Sequence, residues 1–367
     1  MRKKITHLTS AHPRYDTRIF IKMCSSLANN GFDISLIVAD GKGDETKSGV
    51  KIVDVGPSKN RLFRILRAPN CVFKKALALD SDIYHLHDPE LLPIGLKLKR
   101  CGKIVIFDSH EDVPKQMLTK PYLNKPLLKI VSFGIKQYEA WVCKQLDGVI
   151  TATPYIREKF LKINPYTIDI NNFPILDEFS TMTKWKDKKK EVCYVGGIDK
   201  IRGIKELAQA MGKIKNDVKL NLCGVFSNKN TEKEVKAQSG WRQVLEHGFI
   251  NRQGVREILT RSIAGLVTFY PLPNHIDAQP NKMFEYMSTG IPVIASNFPL
   301  WREIIEGNNC GICVDPMKPK EIAEAIDYFI NHPKQAEIMG NNGRIAVEQK
   351  YNWETEKEKL VGFYKVL

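Results

Sequence analysis

The chain has 367 residues, 43% hydrophobic and 26% charged, which suits two globular domains and excludes a disordered or low-complexity protein. A net charge of +15 points to an anionic partner, but no recognition motif accompanies it and nucleic acid is set aside. No apolar run reaches the ~20 residues of a bilayer span, and the basic start Met1-Arg2-Lys3-Lys4 enters a strand-like run without a signal-peptide core. With eight scattered cysteines mostly inside apolar runs, a cytoplasmic location is expected.

In chain order, Lys4 to Thr9 and Ile34 to Val38 are short apolar runs, with a helical segment from Arg18 to Asn30 between them and Gly31 as its stop. Further strands are expected at Val50 to Val55, Asp82 to His87 and Lys103 to Phe107, with helical segments before Leu79 and before Arg100. Between Val113 and Leu146, six lysines (115, 120, 125, 129, 136, 144) and a single acid, Glu139, are interleaved with residues such as Tyr122, Leu123, Leu127, Ile130, Phe133 and Trp141. This basic amphipathic stretch fits either an anionic membrane surface or a core helix with a solvated lysine face. Strands follow at Gly148 to Thr153 and Ile168 to Ile170, and a polar, lysine-rich linker at 179–190.

A second alternation has strands near Val192 to Val195, Lys219 to Cys223, Gly248 to Ile250, Gly265 to Tyr270, Ile291 to Ala295 and Gly311 to Val314. Strands that are apolar without alternation argue for parallel sheets covered on both sides. The expected class is α/β: two doubly wound, Rossmann-like domains, 1–180 and 181–350, facing a central cleft at the carboxyl ends of their sheets.

Four stretches could carry chemistry. Pro280 suits the first position of a helix on which Asn281, Lys282 and Glu285 share one face, opposite Met283, Phe284 and Met287, with Gly290 as the stop. Its N-terminus and lysine would make an anion site; the plain alternative is a surface helix with ordinary ion pairs. The loop from Tyr194 to Gly203 offers Gly196, Gly197 and Arg202 to a phosphate. His110 and Glu111 follow the strand ending at Phe107, and the opening loop carries Arg14, Asp16 and Arg18. Asp80-Ser-Asp82 has a metal-binding spelling but enters a strand rather than leaving one, and no metal site is expected anywhere.

The run Pro280-Asn-Lys-Met-Phe-Glu-Tyr-Met, followed by Gly290-Ile-Pro-Val-Ile-Ala-Ser, closely resembles the donor-binding segment of GT-B glycosyltransferases of family 4. The resemblance extends from the His12 loop to Asn352-Trp-Glu. It implies a retaining transferase that needs no cofactor or metal and takes a nucleotide-diphosphate sugar, a UDP-sugar first. The donor would be held by Gly196, Gly197, Arg202, Asn281, Lys282 and Glu285, the last on its ribose. His110 and Asp277 are the catalytic candidates, and Arg14, Asp16, Arg18 and Glu111 the acceptor-side ones; Glu111 has the alternative of a helix cap.

The chain departs from the family pattern in four places. Gly197 stands where arginine is frequent, Arg202 where lysine is usual, and Asp277 where the first of two glutamates is expected, with a plain loop carboxylate as its alternative; the opening loop lacks the glycine pair that many members carry there. A matching final helix, 351–367, would return to the first domain. The implied acceptor is a glycan or a polyprenyl-diphosphate-linked glycan of bacterial surface polysaccharide, met on the inner face of the plasma membrane. Rival readings are a transferase-like binding subunit without turnover, and a nucleotide-sugar epimerase on the same fold.

Overall fold

The structure, a computed structural model, describes residues 2–57, 64, 67–118, 124–179 and 183–367. Lys120, Tyr122 and Leu123 of the basic stretch, residues 180–182 of the linker, and part of the segment before Leu79 lie outside the described residues. The chain divides into two compact units, Met1–Asn172 with Trp353–Leu367, and Phe173–Asn352. The division falls ahead of the polar stretch at 179–190 because Phe173 already belongs to the second core, its ring 4.8 Å from Phe284 and 5.4 Å from Tyr351. Composition marks where a chain becomes polar; an aromatic anchor marks where it joins a core.

The first unit holds β1 (Lys4–Leu8), β2 (Asp33–Val38), β3 (Glu45–Lys47), β4 (Val50–Asp54), β5 (Ile83–Leu86), β6 (Ile104–Ser109), β7 (Gly148–Thr151) and β8 (Thr167–Asp169). They form one sheet in the order β3-β4-β2-β1-β5-β6-β7-β8, with only β3 antiparallel. β3 is three polar residues at an edge, with no apolar run to announce it. The expected helix from Arg18 begins instead as a π-helix, Thr17–Cys24, capped by the Asp16 carboxylate, and continues as the α-helix Ser25–Asn29.

The last helix, Trp353–Val366, belongs to this unit. Trp353 Nε1 donates to Ser26 Oγ at 2.9 Å, the Asn171 amide donates to Glu356 at 2.7 Å, and Tyr364 meets His85 Nδ1 at 2.6 Å.

The second unit holds β9 (Glu191–Val195), β10 (Lys219–Cys223), β11 (Val244–Gly248), β12 (Ala264–Val267), β13 (Val293–Ser296) and β14 (Gly311–Val314). All pair in parallel, in the order β11-β10-β9-β12-β13-β14. β11 lies earlier than the apolar text at Gly248 to Ile250 suggests, because it is an edge strand whose Leu245, Glu246 and His247 are exposed. Both sheets reverse their strand order once, between β1 and β5 and between β9 and β12. At such a point the connections leave in opposite directions and open a crevice beyond the carboxyl ends.

The helix Asn281–Ser288 is seated on the second sheet by its Tyr286, which is fully buried and whose hydroxyl accepts from the Val195 amide at 3.0 Å. The ring fills the space a side chain at Gly265 would need: a Cβ there would lie 2.2 Å from it. No described helix is long and apolar enough to cross a membrane. Gly265→Ala is therefore expected to lower the stability of the second unit by about 1–3 kcal/mol, measured by urea denaturation, while Tyr286→Phe should cost about 1 kcal/mol through the lost hydrogen bond.

Candidate active site

In the second unit the switch point is built from the ends of β9 and β12 and the start of the Asn281–Ser288 helix. Pro280 is the residue before that helix and not its first residue, and no side chain caps the first turn. Asn281 is exposed, but Lys282 is 7% exposed, so the expected polar face is only partly a surface. The lysine stem runs inward and its Nζ stands 3.6 Å from the centre of the Tyr194 ring and 5.4 Å from that of Phe269. It has no hydrogen-bond partner, and neither has the buried Thr268 hydroxyl beyond the end of β12. Burial, and after it the nearby charge of Arg202, hold the Lys282 ammonium well below the usual lysine range.

Two glycines make this arrangement possible. Gly196 has φ +125°, and a Cβ on it would come 2.9 Å from Lys282 Nζ. Gly203 has φ +70°, and a Cβ there would lie 2.0 Å from the Thr268 carbonyl oxygen. That close approach seats the short turn Lys200–Arg202 against β12, and Arg202 Cζ lies 4.9 Å over the same Phe269 ring that faces Lys282. Gly197 is exposed, with open space where a side chain would stand. Arg202, Lys282, Gly196 and Gly197 thus come together; Asp277 is half-buried in the loop ahead of the helix. Glu285 accepts from Arg252 Nη1 at 2.9 Å, and Arg252 Nε donates to Glu178 at 2.5 Å. Arg252 was not a sequence candidate: its only signal is the Asn251 cap that starts its helix, Arg252–Arg261.

In the first unit the corresponding ends of β1, β5 and β6 carry a network around one carboxylate. Asp108, on β6, is fully buried and receives Arg18 Nη2 at 2.7 Å and Nε at 2.9 Å. Its Oδ2 also faces His110 Nε2 at 3.1 Å and His87 Nδ1 at 3.3 Å. Burial opposes its charge, but Arg18, His110 and His87 outweigh it and hold Asp108 well below the usual carboxylate range. His87 Nδ1 and His110 Nε2 also stand 3.2 Å apart; because a carboxylate oxygen only accepts, the arrangement that serves Asp108 best has both imidazoles presenting N–H to it. In that arrangement the lone pair of a neutral His110 imidazole is on Nδ1. His87 Nε2 must then accept from His7 Nδ1, 2.8 Å away, and burial pushes His87 down to about 4.

The remaining candidates have structural partners. Arg14 is buried, with both ends of its fork on Asp40, at 2.8 and 2.7 Å, and Nη1 on Glu45 at 2.5 Å, so it clamps the loop before β3 and presents no free edge to an acceptor. Arg18 is likewise used, its third nitrogen donating to the Ile170 carbonyl at 2.6 Å. Asp16 accepts from the amides of Arg18 and Ile19, each at 2.9 Å. Burial would raise it, yet His12 and the Ile19 amide bring it to about 2.

Glu111 is exposed and bonded to Gln116; the cap of the next helix, Val113–Met117, is Asp112 instead. Asp88 was also missed: it follows β5 and ties down the loop after β1 through Thr9 Oγ1 at 2.8 Å and the Ser10 amide at 2.6 Å.

Among the described residues, His7, His85 and His87, and His87, Asp108 and His110, are close enough to hold an ion. The donor set fits poorly, because both nitrogens of His87 are already committed, to His7 on one side and to Asp108 on the other. The buried Nε2 atoms of His7 and His85 have no partner. Asp82 stands at the amino end of β5, its carboxylate accepting the Lys4 amide at 2.8 Å.

Residues 177–346 match the family model of glycosyl transferases group 1, and residues 17–169 that of glycosyltransferase family 4. An uncharacterized glycosyltransferase of Methanocaldococcus jannaschii is 26% identical over 94% of this chain and 92% of its own. A capsular polysaccharide biosynthesis glycosyltransferase of Staphylococcus aureus is 28% identical over 47% of this chain and 44% of its own. Among solved structures, Anabaena HepE in complex with UDP and glucose superposes with a TM-score of 0.77 at 13% identity, covering 100% of both chains. The two family models leave little of the chain unmatched, the sheets have the architecture of these neighbours, and the chain belongs to the GT-B glycosyltransferases of the family 4 type.

Proposed function

We propose that this glycosyltransferase is a retaining, metal-independent enzyme that moves a sugar from a nucleotide-diphosphate donor, a UDP-sugar first, to a glycan or polyprenyl-diphosphate-linked glycan of a bacterial surface polysaccharide. The observation that carries the donor half is the buried, unpartnered Lys282 ammonium beside Arg202 at a sheet switch point. A cation kept from water without a hydrogen-bonded partner gains most from an anion that enters with it. The diphosphate supplies that anion, and Lys282, Arg202 and the uncapped helix start neutralise the leaving group as the glycosidic bond breaks. Glu285, steadied by Arg252, takes the ribose. Attack comes from the face the diphosphate leaves, with the departing phosphate accepting the acceptor proton. His110 offers its bare Nδ1 to a sugar hydroxyl, and Asp108 holds that tautomer. The UDP and glucose bound by HepE support the choice of base. The capsular relative supports the acceptor class, which would bring the enzyme to the inner face of the membrane.

A thermal-shift screen with UDP, GDP, dTDP, CMP and their sugar conjugates tests the donor. A rise with UDP and a UDP-sugar, unchanged by EDTA, is expected, and no rise with any nucleotide would overturn the reading. Glu285→Ala and Arg202→Ala should each weaken donor binding about tenfold to a hundredfold.

A separate signature comes from Lys282. Its ammonium is depressed in the free protein, and a bound diphosphate favours the charged form. Binding of the nucleotide sugar at mildly alkaline pH should therefore take up a proton. Titration calorimetry in two buffers of different ionisation enthalpy reads this directly, and Lys282→Met should abolish the uptake.

His110→Ala should lower kcat by about tenfold or more with little change in donor affinity. Asp108→Asn, which frees the tautomer, should lower kcat in the same direction and alter the pH profile, which steady-state kinetics across pH would show.

A further inference from the structure

The helix Lys125–Cys143 of the first unit turns the wrong side outward for a core helix. Its inner face is Leu128, Ser132, Glu139, Val142 and Cys143. Outward it shows Ile130 at 68% exposure, Phe133 at 63% and Trp141 at 56%, with Leu127 and Tyr138 beside them. At 100° per residue, Leu127, Ile130, Phe133, Tyr138 and Trp141 share one broad outer arc, while Lys125, Lys129 and Lys136 stand in a row along one flank. All three lysines are exposed, as is Lys144 just beyond the helix. The single acid of the helix, Glu139, is buried and takes Lys159 Nζ at 2.6 Å, so no negative charge of this helix reaches its outer face.

A stripe of large apolar side chains open to water marks an interaction surface. We propose that this face docks on an anionic lipid bilayer, with Phe133, Ile130 and Trp141 at headgroup depth and the lysine row over lipid phosphates. Charge selects the occupant. A two-fold contact with a second copy would bring the same lysine row against itself without an acid to offset it, whereas a bilayer carrying phosphate groups meets the lysines and accepts the aromatic rings together. The proposal rests on the membrane-borne acceptor only for its purpose. The surface itself is read from exposure and charge.

The test floats the full chain with vesicles of phosphatidylcholine alone and of phosphatidylcholine with phosphatidylglycerol, at low and high salt. Binding to the anionic vesicles alone, weakened by salt, is expected. Phe133→Ser with Trp141→Ser should abolish it, and Lys129→Glu and Lys136→Glu should each weaken it by about fivefold or more. These residues are exposed, so melting temperature and the nucleotide thermal shift should stay as in the parent protein, which separates this proposal from the donor reading. Three outcomes would overturn it: no flotation with anionic vesicles, equal flotation of the variants, or lipid-free dimers in sedimentation velocity that the serine variant dissolves.

Discussion

A lysine ammonium held away from water, with an arginine as its neighbour and no hydrogen-bond partner, is the constraint around which the second unit is arranged. Burial opposes the charge of such a group, and its pKa falls in consequence. Tyr194 and Phe269 give it aromatic faces, Gly196 leaves it room, and Gly203 lets the Arg202 turn close on β12. The Tyr286 ring in the hollow above Gly265 seats the helix that carries Lys282 on its sheet.

The first unit solves the opposite problem. One buried carboxylate, Asp108, is supplied with more donors than it needs: a bidentate arginine and two imidazoles. A line of close polar contacts runs from Asp108 through His87 to His7, with His110 at the rim beside the same carboxylate. The last helix closes the back of the same cluster through Tyr364, so the far end of the chain helps to build the environment of residues near its start.

Much of this architecture is legible in the sequence. Apolar runs without alternation announce parallel strands, and Gly31 and Gly290, both at positive φ, mark where helices stop. What composition hides are the edges. β3 is charged and β11 is half exposed, so neither carries the periodic signal that buried strands do. The unit boundary is hidden for a related reason, since Phe173 commits to the second core before the chain turns polar.

By itself, the sequence determined the fold class and the loops on which the candidate residues sit, because these follow from local pattern and spacing, and its motifs carried the resemblance to the family. Only the tertiary structure decided what each charged residue does. Arg14, Asp16 and Arg18 fall within one five-residue stretch, yet one clamps a loop, one caps a helix and one neutralises Asp108. Lys282 is buried rather than displayed, and the Lys125–Cys143 helix shows its apolar side to solvent. The reason is that charge and apolarity are properties of a residue, while their worth depends on which neighbours exclude water from them, and those neighbours come from distant parts of the chain.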